Sequence, residues 1–234
     1  MPGRWLGLVA LLAGVLLVAG YDLTLAPKRY PYSADSASYI DMAASLHEAG
    51  RPLVTPWEVD PGDRDAIPQI LFPPGFGIVI AAFMPFAGDA ASAALWPSRI
   101  AAALLPFLIV TLFRGALPDR TLLAMALLAL LAPGVRAWQF VAYSDVTGLA
   151  FSVVALGALA RGLGLVGRPA VGLGWLLLAG LVAGLGYGVR NSGLAVLGAS
   201  VAMLGYAWLH GIAMALPLLV PQFAGGRYVR LLSN

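Results

Sequence analysis

Long uninterrupted apolar runs constrain this chain more than any other feature. Runs such as Trp5–Leu25 and Trp96–Phe113 approach or reach the length that an α-helix needs to cross the hydrocarbon core of a bilayer. A transmembrane β-barrel would instead show short segments of alternating polarity. Charged residues make up only 11% of the chain, against about 25% in soluble domains. The runs therefore predict an all-α, polytopic membrane protein with about six to eight membrane-embedded helices.

The apolar segments differ in quality as membrane spans. The second is broken by prolines, and the fourth is too short to span a bilayer unless it continues past Pro133. Because the first segment follows Arg4, it fits a cleaved signal peptide or an uncleaved anchor, and its length favours the anchor. The segments are Trp5–Leu25, Leu71–Phe86, Trp96–Phe113, Thr121–Ala132, Val146–Ala160, Val171–Val189, Ser192–Leu209 and Gly211–Val220.

A polar segment near the amino terminus, Tyr21–Pro74, interrupts this pattern. It holds eight of the chain's eleven acidic residues, against four basic ones. Basic residues concentrate in short cytoplasmic loops of membrane proteins, so the arginines elsewhere in the chain set the orientation. We expect residues 26–74 to form a large outward loop with amphipathic helices. The arginines used are Arg4, Arg114, Arg120, Arg161 and Arg168.

This orientation creates a parity problem. Three apolar segments separate the polar segment from Pro133–Asp145, yet the arginines place both on the same side. The weakest span is Leu71–Phe86, which contains three prolines. Irregular backbone at membrane depth is tolerated only where protein or water covers it. We therefore expect Leu71–Phe86 to be half-inserted or re-entrant, beside a cavity.

A stripe of glycines runs along the sixth apolar segment. Gly180, Gly184 and Gly188 recur every four residues and therefore share one helix face. Small residues at this spacing let a neighbouring membrane helix approach closely. The pattern predicts that this face packs against another helix.

Two acids in the polar segment are candidates for chemistry. Asp35 lies among small residues just before Tyr39, and Asp41 follows six residues later. If a helix covers residues 35–49, Asp35 could simply stabilise its first turn. The same carboxylate, held near a bilayer surface, could instead act as a general base on an acceptor hydroxyl. The residues alone leave both interpretations open.

Two further groups lie where apolar segments meet the outward side. Ser144 and Asp145 precede the fifth segment, where they could be an ordinary helix cap or functional acids at the membrane edge. Arg190 ends the sixth segment, and Arg99 lies near the start of the third. Outward arginines can bind a lipid-linked phosphate through the planar guanidinium, or can reach the headgroups.

Several classes of function are excluded or disfavoured by what the sequence contains. The chain has no cysteine, so it has no disulfide and no thiolate site. Its basic residues do not cluster as nucleic-acid binding requires, so we expect no nucleic-acid partner. The acidic run Asp60–Asp65 could hold a divalent cation, although such runs are more often turns. His47 and His210 lack partners at ligand spacing, and we expect no cofactor and no metal site.

The order of these motifs resembles the membrane module of GT-C glycosyltransferases, such as the protein O-mannosyltransferases and aminoarabinose transferases. The matching elements are an acid early in the first outward loop, a following helix, a Pro-Pro-Gly element, a small-residue segment that ends in arginine, an acid after a proline-containing loop, and a Gly-rich helix that ends in a basic residue. In this chain they are Asp35, Ala43–Gly50, Pro73–Phe76, Ala90–Arg99, Pro133–Asp145 and Gly180–Arg190.

The resemblance covers about Trp5–Leu209 and implies a function. It implies sugar transfer from a polyprenyl-phosphate donor to a lipid, glycan or protein acceptor. The resemblance implies that Asp35 is the catalytic base and that Arg190 and Arg99 bind the donor phosphate. It implies that four further residues position the acceptor or shape the site, namely Asp145, Ser144, Asp41 and Tyr39.

Two departures from the family pattern bear on this reading. The family often has paired acids in the first loop, whereas here Ser36 follows Asp35. Family members are also usually longer than this chain. We therefore expect a single domain over residues 1–234 that is a fragment, a truncated relative or a minimal module. The resemblance implies a bacterial inner membrane location with the first loop facing the periplasm. The alternative function is a non-catalytic lipid-carrier-binding or assembly subunit of the same fold.

Overall fold

A computed structural model describes residues 3–25, 34–54, 67–68, 73–138, 142–166 and 172–190, together with residues 196, 198, 199, 201, 202, 205 and 208. Within these residues the chain is mostly helical, with one antiparallel pair of two-residue strands and short connecting turns. The helices are α1 Gly3–Leu25, α2 Ala34–Ala49, α3 Gly75–Ala87, α4 Ala90–Ala93, α5 Trp96–Phe113, α6 Asp119–Leu131, α7 Pro133–Trp138, α8 Ser144–Gly162 and α9 Leu173–Val189. The strands are β1 Leu53–Val54 and β2 Ile67–Pro68.

Two helical stretches in the described residues are long and apolar enough to cross a membrane. They are Ala90–Phe113, with 24 residues, and Ser144–Gly162, with 19 residues. Length and composition alone define them, and the core helix of a soluble protein can pass the same test. Three shorter apolar helices accompany them, namely Trp5–Gly20, Gly75–Ala87 and Leu173–Val189. The helical class is confirmed, whereas the larger number of membrane spans stays a prediction.

Small residues bring α1, α5, α8 and α9 into close contact. A Cβ added at Gly157 of α8 would lie 2.6 Å from the Leu112 side chain of α5. One added at Gly14 of α1 would lie 2.1 Å from the carbonyl oxygen of Ala103. Neither position can hold a larger side chain without movement of a neighbouring helix. Glycine at these two crossings therefore sets the distance between the helix backbones.

The bundle has two distinct ends. Ser98 at the start of α5 donates a hydrogen bond of 2.8 Å to the carbonyl of Tyr143, directly before α8. Arg161 near the end of α8 donates to the carbonyls of Thr111 and Leu112 at the end of α5. The two helices therefore run parallel. We call the end at Ser98 and Tyr143 the tyrosine end, and the end at Arg161 the arginine end.

The segment α3–α4 enters and leaves at the tyrosine end. A Cβ at Gly75, the first residue of α3, would lie 2.4 Å from the carbonyl oxygen of Gly188 at the end of α9. The next long helix, α5, begins beside Tyr143. The chain therefore does not pass to the arginine end between the polar segment and α5. The half-inserted or re-entrant character of Leu71–Phe86 stays a prediction.

The glycine stripe of α9 faces no other helix among the described residues. Among the described residues, a Cβ added at Gly180, Gly184 or Gly188 would meet nothing within 4 Å. The buried face of α9 instead carries Ala179, Ala183 and Gly186. Small residues thus recur at four-residue spacing on two neighbouring faces, and the spacing alone does not show which face meets α8.

Several predictions concern residues outside the described ranges. The acidic run Asp60–Asp65, His210 and the segment Gly211–Val220 lie there entirely, and most of Ser192–Leu209 does. Within the described part, α5 has the bounds predicted for the third apolar segment. The segment Val171–Val189 corresponds to α9, which begins two residues later.

Candidate functional site

The helix α2 carries the first candidate residues. It begins at Ala34, so Asp35 occupies its first turn and faces the positive end of the helix dipole. Asp35 and Tyr39 are four residues apart and therefore share a face of α2. Asp35 is half-buried, and Tyr39 is 4% exposed. A helix does cover residues 35–49, which is the condition under which Asp35 can stabilise a first turn.

Tyr39 is fixed from two sides. Its ring packs edge-on against Phe76 of α3, with centroids 4.9 Å apart and an interplanar angle of 84°. Its hydroxyl lies 3.3 Å from the Ser144 hydroxyl, and either group can donate. The aromatic contact orients the ring, and the hydrogen bond joins α2 to the start of α8.

Ser144 does not act as the cap of α8. The N-cap position is occupied by Tyr143, whose backbone is extended at φ −104° and ψ 140° and whose side chain makes no capping hydrogen bond. Ser144 is the first helical residue and is 2% exposed. The capping interpretation of Ser144 is therefore wrong, because the helix begins one residue too early for it. Its hydroxyl bonds across the chain to Tyr39 instead.

Asp145 and Arg190 form an ion pair between the start of α8 and the end of α9. The Arg190 side chain is 37% exposed and that of Asp145 is 16% exposed. Arg190 is the C-cap of α9, where a cation interacts favourably with the negative end of the helix dipole. Its aliphatic stem passes over Gly148, where a Cβ would lie 3.4 Å from the Arg190 Cβ. Gly148 thus leaves room for the arginine to reach Asp145.

The pKa of Tyr39 depends on the groups that surround it. Burial raises its pKa above the usual value, whereas the Ser144 hydrogen bond and the Arg190 charge act in the opposite direction. The negative charges of Asp35 and Asp145 raise this pKa further. Tyr39 therefore stays protonated at neutral pH and can donate a hydrogen bond, but it cannot serve as a base there.

The structure thus brings five of the seven predicted site residues together. These are Asp35, Tyr39, Ser144, Asp145 and Arg190, which we call the tyrosine-end cluster. The other two, Arg99 and Asp41, are half-buried. Arg99 directly follows Ser98 at the same end of the bundle, and Asp41 lies on a different face of α2 from Tyr39.

Several residues that support the cluster carry no obvious signal in the sequence. Ser98 ties the starts of α5 and α8 together, Gly148 accommodates Arg190, and Gly75 lets α3 touch the last turn of α9. Thr147 is 5% exposed, and its hydroxyl has no hydrogen-bond partner among the residues that the structure describes. Only the Pro-Pro-Gly element around Gly75 stood out in the sequence. Within the described residues, no group of three or more His, Cys, Asp or Glu side chains could hold a metal ion.

Comparison with family models, with curated proteins and with solved structures finds no match to this chain. The resemblance to GT-C glycosyltransferases therefore rests on the order of the motifs alone. What the protein does must be argued from the chemistry of the tyrosine-end cluster.

Proposed function

We propose that the chain is a polytopic membrane glycosyltransferase that moves a sugar from a polyprenyl-phosphate donor to an outward-facing acceptor. The observation that carries the proposal is the convergence of acid, phenol, hydroxyl and guanidinium groups at one end of the bundle. They come from α2, the start of α8 and the end of α9, so their proximity depends on the whole fold. The order of motifs that suggested the GT-C fold points to the same residues.

A membrane location is supported by what the helices leave exposed. Large apolar side chains are exposed along α1, α6 and α9, as expected for helices in contact with lipid. Basic residues favour the cytoplasmic side, so Arg114, Arg120 and Arg161 place the arginine end in the cytoplasm. The tyrosine end then faces the periplasm of a bacterial inner membrane. We propose about six to eight membrane-embedded helices, with α3 re-entrant. Representative exposed side chains are Trp5, Leu16, Leu128, Leu173 and Leu181.

Arg190 is assigned the role of binding the donor phosphate. Its ion pair with Asp145 and its packing over Gly148 hold the guanidinium at one place before any donor binds. A guanidinium has more N–H donors than one carboxylate uses, so a phosphate oxygen can bind beside Asp145. Asp145 therefore orients Arg190, and Arg99 at the same end supplies a second cation for the diffuse charge of the phosphate.

Asp35 is assigned the role of general base. It accepts the proton of the acceptor hydroxyl while the hydroxyl oxygen attacks the sugar carbon. The bond between that carbon and the phosphate oxygen breaks, and polyprenyl phosphate leaves with the negative charge that Arg190 stabilises. Direct displacement inverts the sugar carbon. The acceptor side is shaped by Tyr39, Ser144 and Asp41. The proposed displacement uses no metal ion or other cofactor.

One observation favours the alternative, a non-catalytic subunit that binds the lipid carrier. Arg190 already has a carboxylate partner, and an ion pair between two helices can be purely structural. Such a subunit would bind the donor without consuming it. Donor binding and donor turnover must therefore be measured separately.

The test combines both measurements on the purified full chain in a non-ionic detergent. A labelled polyprenyl-phosphate sugar is offered with membrane lipids and peptides as acceptors, and free polyprenyl phosphate is quantified. The enzyme proposal expects release by the wild type and weaker donor binding by Arg190→Gln. Binding without release would select the carrier-binding subunit. Equal binding by wild type and Arg190→Gln would remove the phosphate role of Arg190.

A further inference from the structure

The arginine end carries a cavity that the proposed function does not use. Its volume is about 600 Å³, within the range of roughly 300–1,000 Å³ that small-molecule sites occupy. It lies at the turn between α5 and α6, far along the bundle from Arg190. Its lining includes Arg114, Gly115, Leu117, Pro118, Asp119 and Arg161.

Arg161 is held in place before any ligand binds. Its Nε donates to the Leu112 carbonyl at 3.1 Å, and one terminal nitrogen, Nη2, donates to the Thr111 carbonyl at 2.6 Å. Its guanidinium lies 5.5 Å from the centre of the Trp175 ring. These contacts remove the conformational freedom that a long side chain would otherwise lose on binding. The guanidinium keeps further N–H donors for a ligand.

Arg114 supplies a second cation from a defined turn. The backbone of Arg114 bridges to Leu117, and Gly115 between them has φ +95°, a conformation that favours glycine. Arg114 itself is exposed. Among the described residues, no ion pair within 4.0 Å joins the lining acid Asp119 to Arg114 or Arg161. The lining therefore offers two arginines whose charges are not neutralised by that acid.

We propose that this cavity binds the phosphate group of an anionic ligand. Arg161 provides a fixed, planar set of donors, and Arg114 closes on the phosphate from the turn. The phosphate could belong to an anionic phospholipid headgroup, because basic cavities at the cytoplasmic face of membrane helices suit such headgroups. It could equally belong to a soluble phosphate. Leu117 and Pro118 add apolar surface beside the two cations.

The test compares two arginine variants of the full chain in dodecyl maltoside. Arg114→Gln removes a cation that lines the cavity, and Arg120→Gln removes an exposed cation from the same end that does not line it. Binding of dihexanoyl-phosphatidylglycerol and of inorganic phosphate is measured by isothermal calorimetry. We expect Arg114→Gln to weaken binding about tenfold, as for loss of a charge-assisted hydrogen bond, and Arg120→Gln to change it less than about twofold.

The two probes distinguish the source of the phosphate. Binding of inorganic phosphate, or its competition with the lipid, assigns a soluble phosphate, whereas binding of the lipid alone assigns a headgroup. Equal weakening by both variants would show diffuse surface charge and overturn the proposal, as would failure of the wild type to bind either probe. Arg114 carries the test because Arg161 also bonds two carbonyls of α5. Since the sugar donor is assigned to the opposite end, either proposal can be overturned without affecting the other.

Discussion

The two ends of the bundle use arginine in different ways. At the tyrosine end, Arg190 pairs with a carboxylate, and Tyr39 and Ser144 bond to each other through their side chains. At the arginine end, Arg161 bonds only to backbone carbonyls among the contacts described, and a cavity opens beside it. Both arrangements join helices that are distant in sequence, the first through bonds between side chains and the second through bonds from one side chain to the last carbonyls of α5.

This difference separates side chains that fix one another from a side chain that is fixed by backbone carbonyls. Side chains that bond to each other fix one another's positions, so a cluster of this kind can hold a substrate and move a proton. An arginine that caps carbonyls stabilises a helix end whatever its further role.

The largest effect is expected from Gly75→Ala. Its Cβ would clash with the backbone of Gly188 and Val189, directly before Arg190. Relief of the clash must move α3 or the end of α9, at a cost of about 1–3 kcal/mol in the free energy of unfolding. Thermal unfolding in detergent, followed by circular dichroism, measures this cost. Gly184→Ala is the control and should leave stability unchanged or raise it by up to about 1 kcal/mol, because a Cβ there meets none of the described residues. Equal destabilisation would contradict the contact at Gly75.

The ion pair of the tyrosine end should show a measurable coupling. Because Arg190 is 37% exposed and Asp145 is 16% exposed, solvent screens the pair in part, and we expect a coupling energy of about 1 kcal/mol. A double-mutant cycle of Asp145→Asn and Arg190→Gln, read as free energies of unfolding, gives this energy. Additive losses would mean that the two residues do not interact in solution.

Tyr39→Phe should cost about 0.5–1.5 kcal/mol, because it removes one hydrogen bond and keeps the aromatic contact with Phe76. Burial raises the pKa of Tyr39 above 10.0 in the folded state, so the folded protein holds this proton more tightly. The resulting stability is complete below about pH 10 and is lost as pH rises through the raised pKa. Unfolding at alkaline pH should therefore show a steeper loss for the wild type than for Tyr39→Phe. Parallel profiles would contradict the burial of this phenol.

The smallest effect is expected at the arginine end. Trp175→Leu removes the aromatic face over which Arg161 lies and should cost about 0.5–1 kcal/mol. The carbonyl bonds of Arg161 persist, so the helix ends should stay in place. A loss much above that of Tyr39→Phe would show that the arginine end depends on side-chain packing as strongly as the tyrosine end does.

Local features of the sequence were sufficient for the long apolar helices, but not for the short helices α4 and α7 or for the pairing of helices. The apolar run Trp96–Phe113 coincides with α5, because a continuous apolar run leaves little choice of structure. The convergence of Asp145 and Arg190 could be anticipated only through the GT-C resemblance. The bond between Tyr39 and Ser144 could not be predicted, because it depends on the rotation of α8 about its axis. Ser144 is not a cap because α8 already begins with it.

The packing face of α9 shows the same limit. Two rows of small residues, one through Gly180 and Gly184 and one through Ala179 and Ala183, satisfy the four-residue spacing equally well. The packing against α8 identifies the buried row, since Ala179 lies in a cluster with Ala158 and Leu159, and a Cβ at Gly186 would lie 3.1 Å from Phe151. The spacing of small residues predicts that a helix can pack closely, whereas the shape of the neighbouring helix decides which face is buried.

The most direct test of the account is sugar transfer by Asp35→Asn, with Asp89→Asn as the matched control. Asp89 is an exposed N-cap of α4 that bonds Ser92, and asparagine caps a helix about as well as aspartate. With a labelled polyprenyl-phosphate sugar, we expect Asp35→Asn to lose about 100-fold or more of the rate and to keep donor binding, while Asp89→Asn keeps both. Full activity of Asp35→Asn would contradict the assignment of Asp35 as the base on which the proposed mechanism depends.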